Sequence, residues 1–359
     1  MQHALSQTKG LKSQGENNFT LVRFVLAALV ILSHASQHSE DGVDPLERLF
    51  HTITFGELAV DAFFVLSGFL VTASWDRSPV PLKFLRKRIL RIYPGFIVAF
   101  LVSVLIIGPI GAQDVQSYIA HLNPTQLTIS AASLGTPTTP QVFSGLQDPV
   151  VNKSLWTIHL EFACYLLLLG LGVMRVLEHK WGIILLWALA LTAFLTVRCL
   201  HGHADGNGAI YGGFGISMLR FTPLFLAGAV IYKTQLHRYR SSWLILGATA
   251  LLMCGLSNQI TAEVALATVG AYLIIIFGSS SLIPSIFKKI PDISYGIYLY
   301  GWPAEKLVSM TRFGNSGLSV FACSLSLAIL IGLLSWYIIE RPALKLKNYK
   351  ADAAPQWSG

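Results

Sequence analysis

Ten apolar segments, each close to the length of a membrane span, constrain the fold of this chain more than any other feature. A membrane-spanning helix needs about 20 predominantly apolar residues. Charged residues make up 12% of the sequence, whereas soluble domains carry about 25%. The pattern therefore predicts an all-α fold, a polytopic membrane helical bundle of about ten transmembrane helices. The predicted spans are residues 19–37, 56–75, 92–111, 155–175, 181–200, 215–232, 243–257, 262–279, 293–310 and 318–338.

The distribution of lysine and arginine predicts which side of the membrane each loop faces. With both termini placed in the cytoplasm, 19 of the 26 Lys and Arg residues fall in cytoplasmic loops or tails, as the positive-inside rule requires. We therefore predict one transmembrane domain over 1–350 and a short C-terminal tail over 351–359. The net charge of +8 is then explained by contact with anionic lipid headgroups, so no nucleic-acid partner is expected.

The first predicted span contains two ionisable residues, Arg23 and His34, in an otherwise apolar stretch. Eleven positions separate them. At about 100° per residue, the two side chains leave one helix face, roughly 16 Å apart along the axis. Ionisable groups inside a span are costly to bury and indicate a functional site.

Arg23 and His34 suggest complementary chemistry. Histidine titrates near neutral pH, so His34 is a candidate general base for an attacking hydroxyl, or a candidate acyl acceptor. A guanidinium group matches phosphate geometry. A cofactor shaped like coenzyme A, with phosphates at one end and a thioester at the other, is long enough to contact both. The alternatives are an interhelical hydrogen bond for His34 and snorkelling of Arg23 towards the headgroups.

Carboxylates in the second and fourth spans are candidates for orienting His34. Glu57 and Asp61 are four residues apart and share a helix face, although both also fit the outer membrane interface. Glu161 lies about one turn inside the fourth span, where an unpaired carboxylate is costly. We therefore expect His34 or an arginine as the partner of Glu161. Trp156, close by in the chain, fits an interfacial aromatic belt.

Two further stretches each support two interpretations. In the basic run Lys83–Arg91, Arg88 and Arg91 are three apart and share a face, as a phosphate site requires. Dense positive charge is also typical of an inner-face anchor. The predicted external segment 112–152 is either a functional loop or a solvated connector. The four cysteines show no metal-ligand spacing, so no metal site is predicted.

Taken together, these stretches resemble the acyltransferase-3 family of bacterial integral-membrane O-acyltransferases, over about residues 17–347. One departure from the family pattern is Gly301, which stands where the family often carries a histidine in a Leu-x-His-x-Pro run. The motifs that carry the resemblance are Arg23-x10-His34, residues 60–70 (VDAFFVLSGFL), Arg88 to Arg91 (RILR) followed by Tyr93-Pro94, Ser154 to Thr157 (SLWT) with Glu161, Ser294 to Leu299 (SYGIYL), and Glu340-Arg341-Pro342.

The resemblance implies transfer of an acyl group, usually acetyl from acetyl-CoA, to a hydroxyl of a cell-envelope or exported glycan at the bacterial inner membrane. It also implies that His34 is essential and that arginines assist. The alternative is a transporter or flippase for a glycan, which would also need intramembrane Arg, His and Glu. The expected site residues are His34 and Glu161 as catalytic groups, Arg23, Arg88 and Arg91 for acyl-CoA phosphates, and Glu57, Asp61, Trp156 and Tyr295 for orientation or substrate contact.

Overall fold

The computed structural model describes residues 18–38, 42–201, 213–280 and 291–348, and the prediction of a polytopic helical bundle is confirmed across them. Ten long helices run through these ranges. In chain order they are α1 Phe19–Ala35, α2 Phe55–Arg77, α3 Pro81–Gly111, α4 Ile158–Val173, α5 Lys180–His201, α6 Gly213–Thr234, α7 Ser242–Gly255, α8 Gln259–Ser279, α9 Ser294–Ser309 and α10 Gly317–Lys345.

Eight of the helices in the described ranges, all except α7 and α9, are long and apolar enough to cross a membrane, α1 and α4 when the adjoining turns Ser36–His38 and Lys153–Thr157 are counted with them. Helices α7 and α9 have 14 and 16 residues. Three spans contain a π-helical turn, which widens the helix by one residue. These turns are Ser103–Ile107 in α3, Leu266–Gly270 in α8 and Trp336–Glu340 in α10.

The basic run Lys83–Arg91, predicted to lie at the inner membrane face before the apolar span 92–111, is helical. α3 begins at Pro81, and proline suits the first turn of a helix, where its missing N–H costs no hydrogen bond. The helix then continues without a break through the basic run. Arg88 and Arg91 are therefore carried on the same rigid element as the apolar part of the span.

Helices α2 and α9 form the centre of the bundle. α2 packs against α1, α4, α6 and α8, and α9 packs against α1, α3 and α10. The crossing of α2 with α6 brings the two backbones into contact at Gly68 and Gly228. A Cβ atom at Gly68 would lie 1.8 Å from the carbonyl oxygen of Phe225. Small residues permit this close approach between membrane helices.

The segment 112–152 is anchored to the bundle by a few buried side chains, although many of its other side chains are exposed. It contains two short helices, Val115–Ala120 and Pro124–Ala132. Beyond them the chain buries Val142, Phe143 and Val151, and the amide of Phe143 donates to the carbonyl of Gly111 at 2.7 Å. The indole of Trp302 in α9 donates to the carbonyl of Val150 at 3.1 Å. The loop is thereby fixed over one end of α9.

Asn152 holds this loop, the start of α4 and the middle of α9 together. Pro303 lies inside α9 and lacks the N–H that would normally bond the carbonyl of Leu299. The side-chain amide of Asn152 donates to that carbonyl at 2.9 Å and to Ser103 Oγ at 3.0 Å. Its oxygen also accepts from the amide of Ser154 at 3.1 Å. One buried side chain therefore satisfies the carbonyl that the proline frees.

Candidate functional site

Arg23 and His34 open into two different cavities. α1 is one continuous helix, so the two residues lie towards its opposite ends. Arg23 lines one cavity, here called the arginine cavity, whose charged lining residues are Arg23, Arg88, Arg91 and Glu161. His34 lines a second and larger cavity, here called the histidine chamber. Val60 of α2 and Tyr298 of α9 line both spaces, so the two adjoin.

Asp292, just before α9, neutralises two of the three arginines. Its Oδ2 accepts from Arg23 Nη1 at 2.7 Å and from Arg91 Nη2 at 3.0 Å, and its Oδ1 accepts from Ser294 Oγ at 2.6 Å. Burial alone would raise the pKa of Asp292, but Arg91 and Arg23 together with Ser294 lower it to about 2. The carboxylate is therefore charged at any physiological pH.

The sequence did not point to Asp292 as a site residue, because it lies 269 positions from Arg23 in the chain. Only the fold brings the two together. The available signal was its place two residues before the SYGIYL motif.

Arg88 differs from the other two arginines because no carboxylate of the described residues pairs with it. Its Nη2 donates to Ser74 Oγ at 3.2 Å. Its guanidinium carbon lies 5.6 Å from the ring centre of Phe84 and 5.5 Å from that of Tyr165. Its buried Nε makes no hydrogen bond. A partly buried guanidinium with an unused N–H is well suited to donate a hydrogen bond to a phosphate oxygen.

Glu161 lies in the arginine cavity and is bonded there. Its Oε1 accepts from Ser67 Oγ at 2.6 Å and from the hydroxyl of Tyr165. The ring of that tyrosine lies against Arg88. In the described part of the chain, the hydrogen bonds of Glu161 do not include His34. The geometry therefore places this carboxylate with the arginines.

Tyr295 and Glu340 complete the surroundings of Arg91. The Tyr295 hydroxyl donates to the carbonyl of Ile92 at 2.9 Å, and its ring lies 5.7 Å from the Arg91 guanidinium carbon. Glu340 is buried at the end of the π-turn in α10, and its Oε2 lies 3.8 Å from Arg91 Nη1. Tyr295 of the SYGIYL motif and Glu340 of the Glu-Arg-Pro motif therefore both lie next to Arg91 of α3.

His34 packs against an aromatic ring, that of Trp302 in α9. The two ring centres are 4.8 Å apart and the planes are nearly perpendicular, at 89°. Trp302 follows Gly301, the position at which a histidine is often found in the resembling family. A Cβ atom at Gly301 would lie 2.9 Å from Ile31 Cγ1. Ile31 therefore occupies the space that a side chain at this position would need.

A buried ion pair, formed by Glu305 and Lys306, lies beside the contact between His34 and Trp302. The side chains of Glu305 and Lys306 are each 1% exposed, and Glu305 Oε1 lies 3.8 Å from Lys306 Nζ and 3.4 Å from His38 Nε2. Lys306 Nζ lies 4.4 Å from the Trp302 ring centre and donates to the carbonyl of Gln147 at 2.6 Å. The sequence predicted no role for this pair. The available signal was two adjacent charges inside the ninth apolar segment.

The remaining candidates line the histidine chamber but have other partners. Glu57 caps α2, because its Oε2 accepts from the amide of Thr54 at 2.9 Å in a reciprocal capping box. Asp61 pairs with Arg220 at 3.0 Å, with both side chains buried. The Trp156 ring centre lies 5.8 Å from that of Phe221. All three border the chamber that His34 lines.

Three known proteins are similar to this chain over most of their length. An O-acetyl transferase of Shigella phage Sf6 is 24% identical over 345 residues, which cover 93% of this chain and 98% of that protein. Nodulation protein 10 of Rhizobium leguminosarum bv. viciae is 27% identical over 359 residues, covering 92% and 94%. The exopolysaccharide production protein ExoZ of Rhizobium meliloti is 26% identical over 322 residues, covering 83% and 93%.

No solved structure matches the chain. A family model described as an acyltransferase domain matches residues 16–337, which include both cavities and every motif quoted above except Glu340-Arg341-Pro342. The chain is therefore a membrane-embedded acyltransferase and belongs to the acyltransferase-3 family.

Proposed function

We propose that this protein transfers an acyl group, with acetyl as the expected one, from acyl-CoA to a hydroxyl of a cell-envelope or exported glycan. His34 acts in the chemical step, and the arginine cavity binds the phosphates of the donor. The observation that carries the proposal is the pair of adjoining cavities, one holding three arginines and the other His34.

The donor fits the distance between the two cavities. Arg23 and His34 lie about 16 Å apart along one helix, calculated from eleven residues at about 1.5 Å each. A donor whose phosphates contact Arg88, with its unused Nε, extends its thioester arm past Val60 and Tyr298 towards His34. Arg23 and Arg91 share Asp292, so they contribute less free positive charge than Arg88. Glu161 fixes Tyr165 beside Arg88 and so shapes the donor site.

The membrane orientation that we propose brings the donor from the cytoplasm. Arg88 and Arg91 belong to a basic run that the positive-inside rule places on the cytoplasmic side. The histidine chamber then faces outwards, where an exported glycan is available. Names such as O-acetyl transferase and exopolysaccharide production protein among the relatives support a glycan acceptor.

Two routes lead from this arrangement to the same products. As a general base, His34 takes the proton of the acceptor hydroxyl while its oxygen attacks the thioester carbon. The carbon–sulfur bond then breaks, and the imidazolium returns the proton to the leaving thiolate. As an acyl acceptor, the imidazole nitrogen attacks the thioester carbon, the carbon–sulfur bond breaks and the thiolate leaves. The acceptor oxygen then attacks the acyl carbon and the carbon–nitrogen bond breaks, and the hydroxyl proton passes by way of the freed imidazole to the thiolate or to water. Both routes place positive charge on the His34 ring.

The experiment that tests this function is acyl transfer by the purified protein in nanodiscs. Radiolabelled acetyl-CoA is supplied with and without isolated cell-envelope glycan. We expect label in the glycan with wild type and none with His34→Ala. His179→Ala is the matched control, because His179 is exposed and lines neither cavity. Normal transfer by His34→Ala would contradict the proposal.

A further inference from the structure

The ion pair of Glu305 and Lys306 is buried, yet the mechanism above does not use it. Burying two charges costs several kcal/mol for each ion, and their mutual attraction recovers this only with good hydrogen bonding. Here the bonding is incomplete. Neither carboxylate oxygen of Glu305 accepts a hydrogen bond within the described part of the chain, although both are fully buried. A charged pair that is buried at such a cost inside the helix bundle indicates function.

The pair lies on α9, the helix that packs along α1, which carries His34. The Trp302 ring centre lies 4.8 Å from that of His34 and 4.4 Å from Lys306 Nζ. One turn further along α9, Glu305 Oε1 lies 3.4 Å from Nε2 of His38, which is four residues beyond His34. Glu161, the carboxylate that the sequence suggested as a partner of His34, is bonded in the other cavity.

We propose that Glu305 is the positioning residue whose carboxylate balances the positive charge that forms on His34 during acyl transfer, with Lys306 limiting that effect. This inference rests on the proposed function. Either chemical route puts positive charge on the imidazole, and a fixed negative group in a site shielded from water stabilises it without reorganisation. Glu305 accepts no short hydrogen bond, and its contacts to Lys306 Nζ and His38 Nε2 are long, at 3.8 and 3.4 Å, so its charge is only partly balanced.

The charged and titratable groups around His34 come from several elements. Helix α9 contributes Glu305 and Lys306, and residues 147–153 contribute Asp148 and Lys153, which pair with each other at 2.6 Å. His38 follows α1 and contacts Glu305. From α2, Glu57 and Asp61 line the same chamber. The parts of α8 and α10 that pack on α1, Ala271–Ser279 and Gly317–Ser335, carry no charged side chain.

The main measurement follows the titration of the His34 ring and does not depend on the acceptor. Full-length protein with isotope-labelled histidine is placed in nanodiscs, and the ring signals are followed by NMR across pH. The His34 signal is assigned as the one of ten that His34→Gln removes. The same measurement is made on Glu305→Gln, Lys306→Met, Glu305→Asp and the double variant Glu305→Gln/Lys306→Met. Transfer from radiolabelled acetyl-CoA to isolated envelope glycan is measured in parallel.

We expect the two single variants to move the His34 titration midpoint in opposite directions. Glu305→Gln removes a negative charge and shifts it to lower pH by about one unit, and Lys306→Met shifts it to higher pH. The transfer rate of Glu305→Gln falls about tenfold, which corresponds to a shift of about one pH unit. Glu305→Asp, which keeps the carboxylate, recovers part of the lost rate. An unchanged midpoint in Glu305→Gln, or shifts in the same direction for both variants, would overturn the inference.

Two comparisons keep the result unambiguous. If Glu305→Gln does not fold, the double variant replaces the pair as a unit and leaves no unpaired buried charge. Its midpoint must then lie below that of Lys306→Met, and equal midpoints would overturn the inference. If His34→Gln is inactive while Glu305→Gln has wild-type midpoint and rate, only this inference fails. If His34→Gln transfers normally, the proposed function fails and this inference with it.

Discussion

The three arginines of the arginine cavity are of two kinds, which differ in whether a carboxylate contacts them. Arg23 and Arg91 share the carboxylate of Asp292, so their charge is already balanced. Arg88 is held by aromatic rings and one serine, with an unused N–H. We therefore expect donor affinity to come mainly from Arg88, whereas the sequence predicted the same phosphate-binding role for all three arginines.

The first prediction concerns Arg88→Gln. Losing a charged hydrogen bond to phosphate costs about 1.5–3 kcal/mol, so KM for acetyl-CoA should rise roughly 10- to 100-fold. The matched control is Lys83→Gln, which removes the same charge from an exposed position on the same helix, outside both cavities. Steady-state kinetics in nanodiscs provides the measurement. An equal rise in KM for both variants would show that general positive charge, rather than Arg88, binds the donor.

The second prediction concerns the stability contributed by Asp292. The pKa of Asp292 is lowered to about 2 from a usual value of 3.8, so the charged form contributes stability above about pH 4 that is lost as pH falls through about 2. The shift corresponds to about 2 kcal/mol. Asp292→Asn should therefore melt at a lower temperature than wild type, with a constant difference between pH 5 and 8.

Thermal unfolding of both proteins at several pH values checks this. The difference in melting temperature should shrink only below about pH 4, where Asp292 begins to lose its charge in the unfolded chain. A difference that already disappears at pH 6 would contradict the assigned role of the Arg23–Asp292–Arg91 cluster.

Among the helices, the crossing of α2 with α6 fixes the centre of the bundle. Gly68 and Gly228 meet the facing backbone at distances that no Cβ atom can occupy. α2 carries Val60 and Ser67 of the arginine cavity, together with Glu57 and Asp61 of the histidine chamber. A shift of this crossing would therefore move the walls of both cavities.

The third prediction compares two Gly→Ala changes. Gly68→Ala places its Cβ 1.8 Å from the Phe225 carbonyl oxygen, so the helices must separate, at a cost of about 1–3 kcal/mol. Gly170→Ala in α4 has nothing within 4 Å and should stabilise the helix by about 0.5–1 kcal/mol. Thermal unfolding and transfer rate are measured for both. Equal stability of the two variants would contradict the close packing of α2 and α6.

Local patterns in the chain predict much of this architecture. The ten apolar segments all fall on helices, since length and apolarity alone decide a membrane helix. Arg23 and His34 lie in one apolar segment, so their place on one helix could be predicted. The first turns of α3 lay outside the predicted span, because the basic run Lys83–Arg91 lacks the apolar signal that was used to place spans.

At the scale of the whole molecule, the fold determines which charged residues meet, and local sequence does not. Asp292 reaches Arg23 across 269 positions, and residues 147–153 fold back over α9 to border His34. Glu161 and His34 line adjoining spaces, although His34 was one of the partners expected for Glu161. Such contacts depend on loop paths and helix crossings, for which one sequence contains no periodic signal.

The central claim is that donor binding and acyl transfer belong to different cavities. The most direct test measures equilibrium binding of radiolabelled acetyl-CoA and transfer of label to envelope glycan in one nanodisc preparation, for wild type, His34→Ala and Arg88→Gln. The account predicts that His34→Ala binds the donor with wild-type affinity but transfers nothing, whereas Arg88→Gln binds it roughly 10- to 100-fold more weakly. Loss of donor binding in His34→Ala, or wild-type binding in Arg88→Gln, would contradict it.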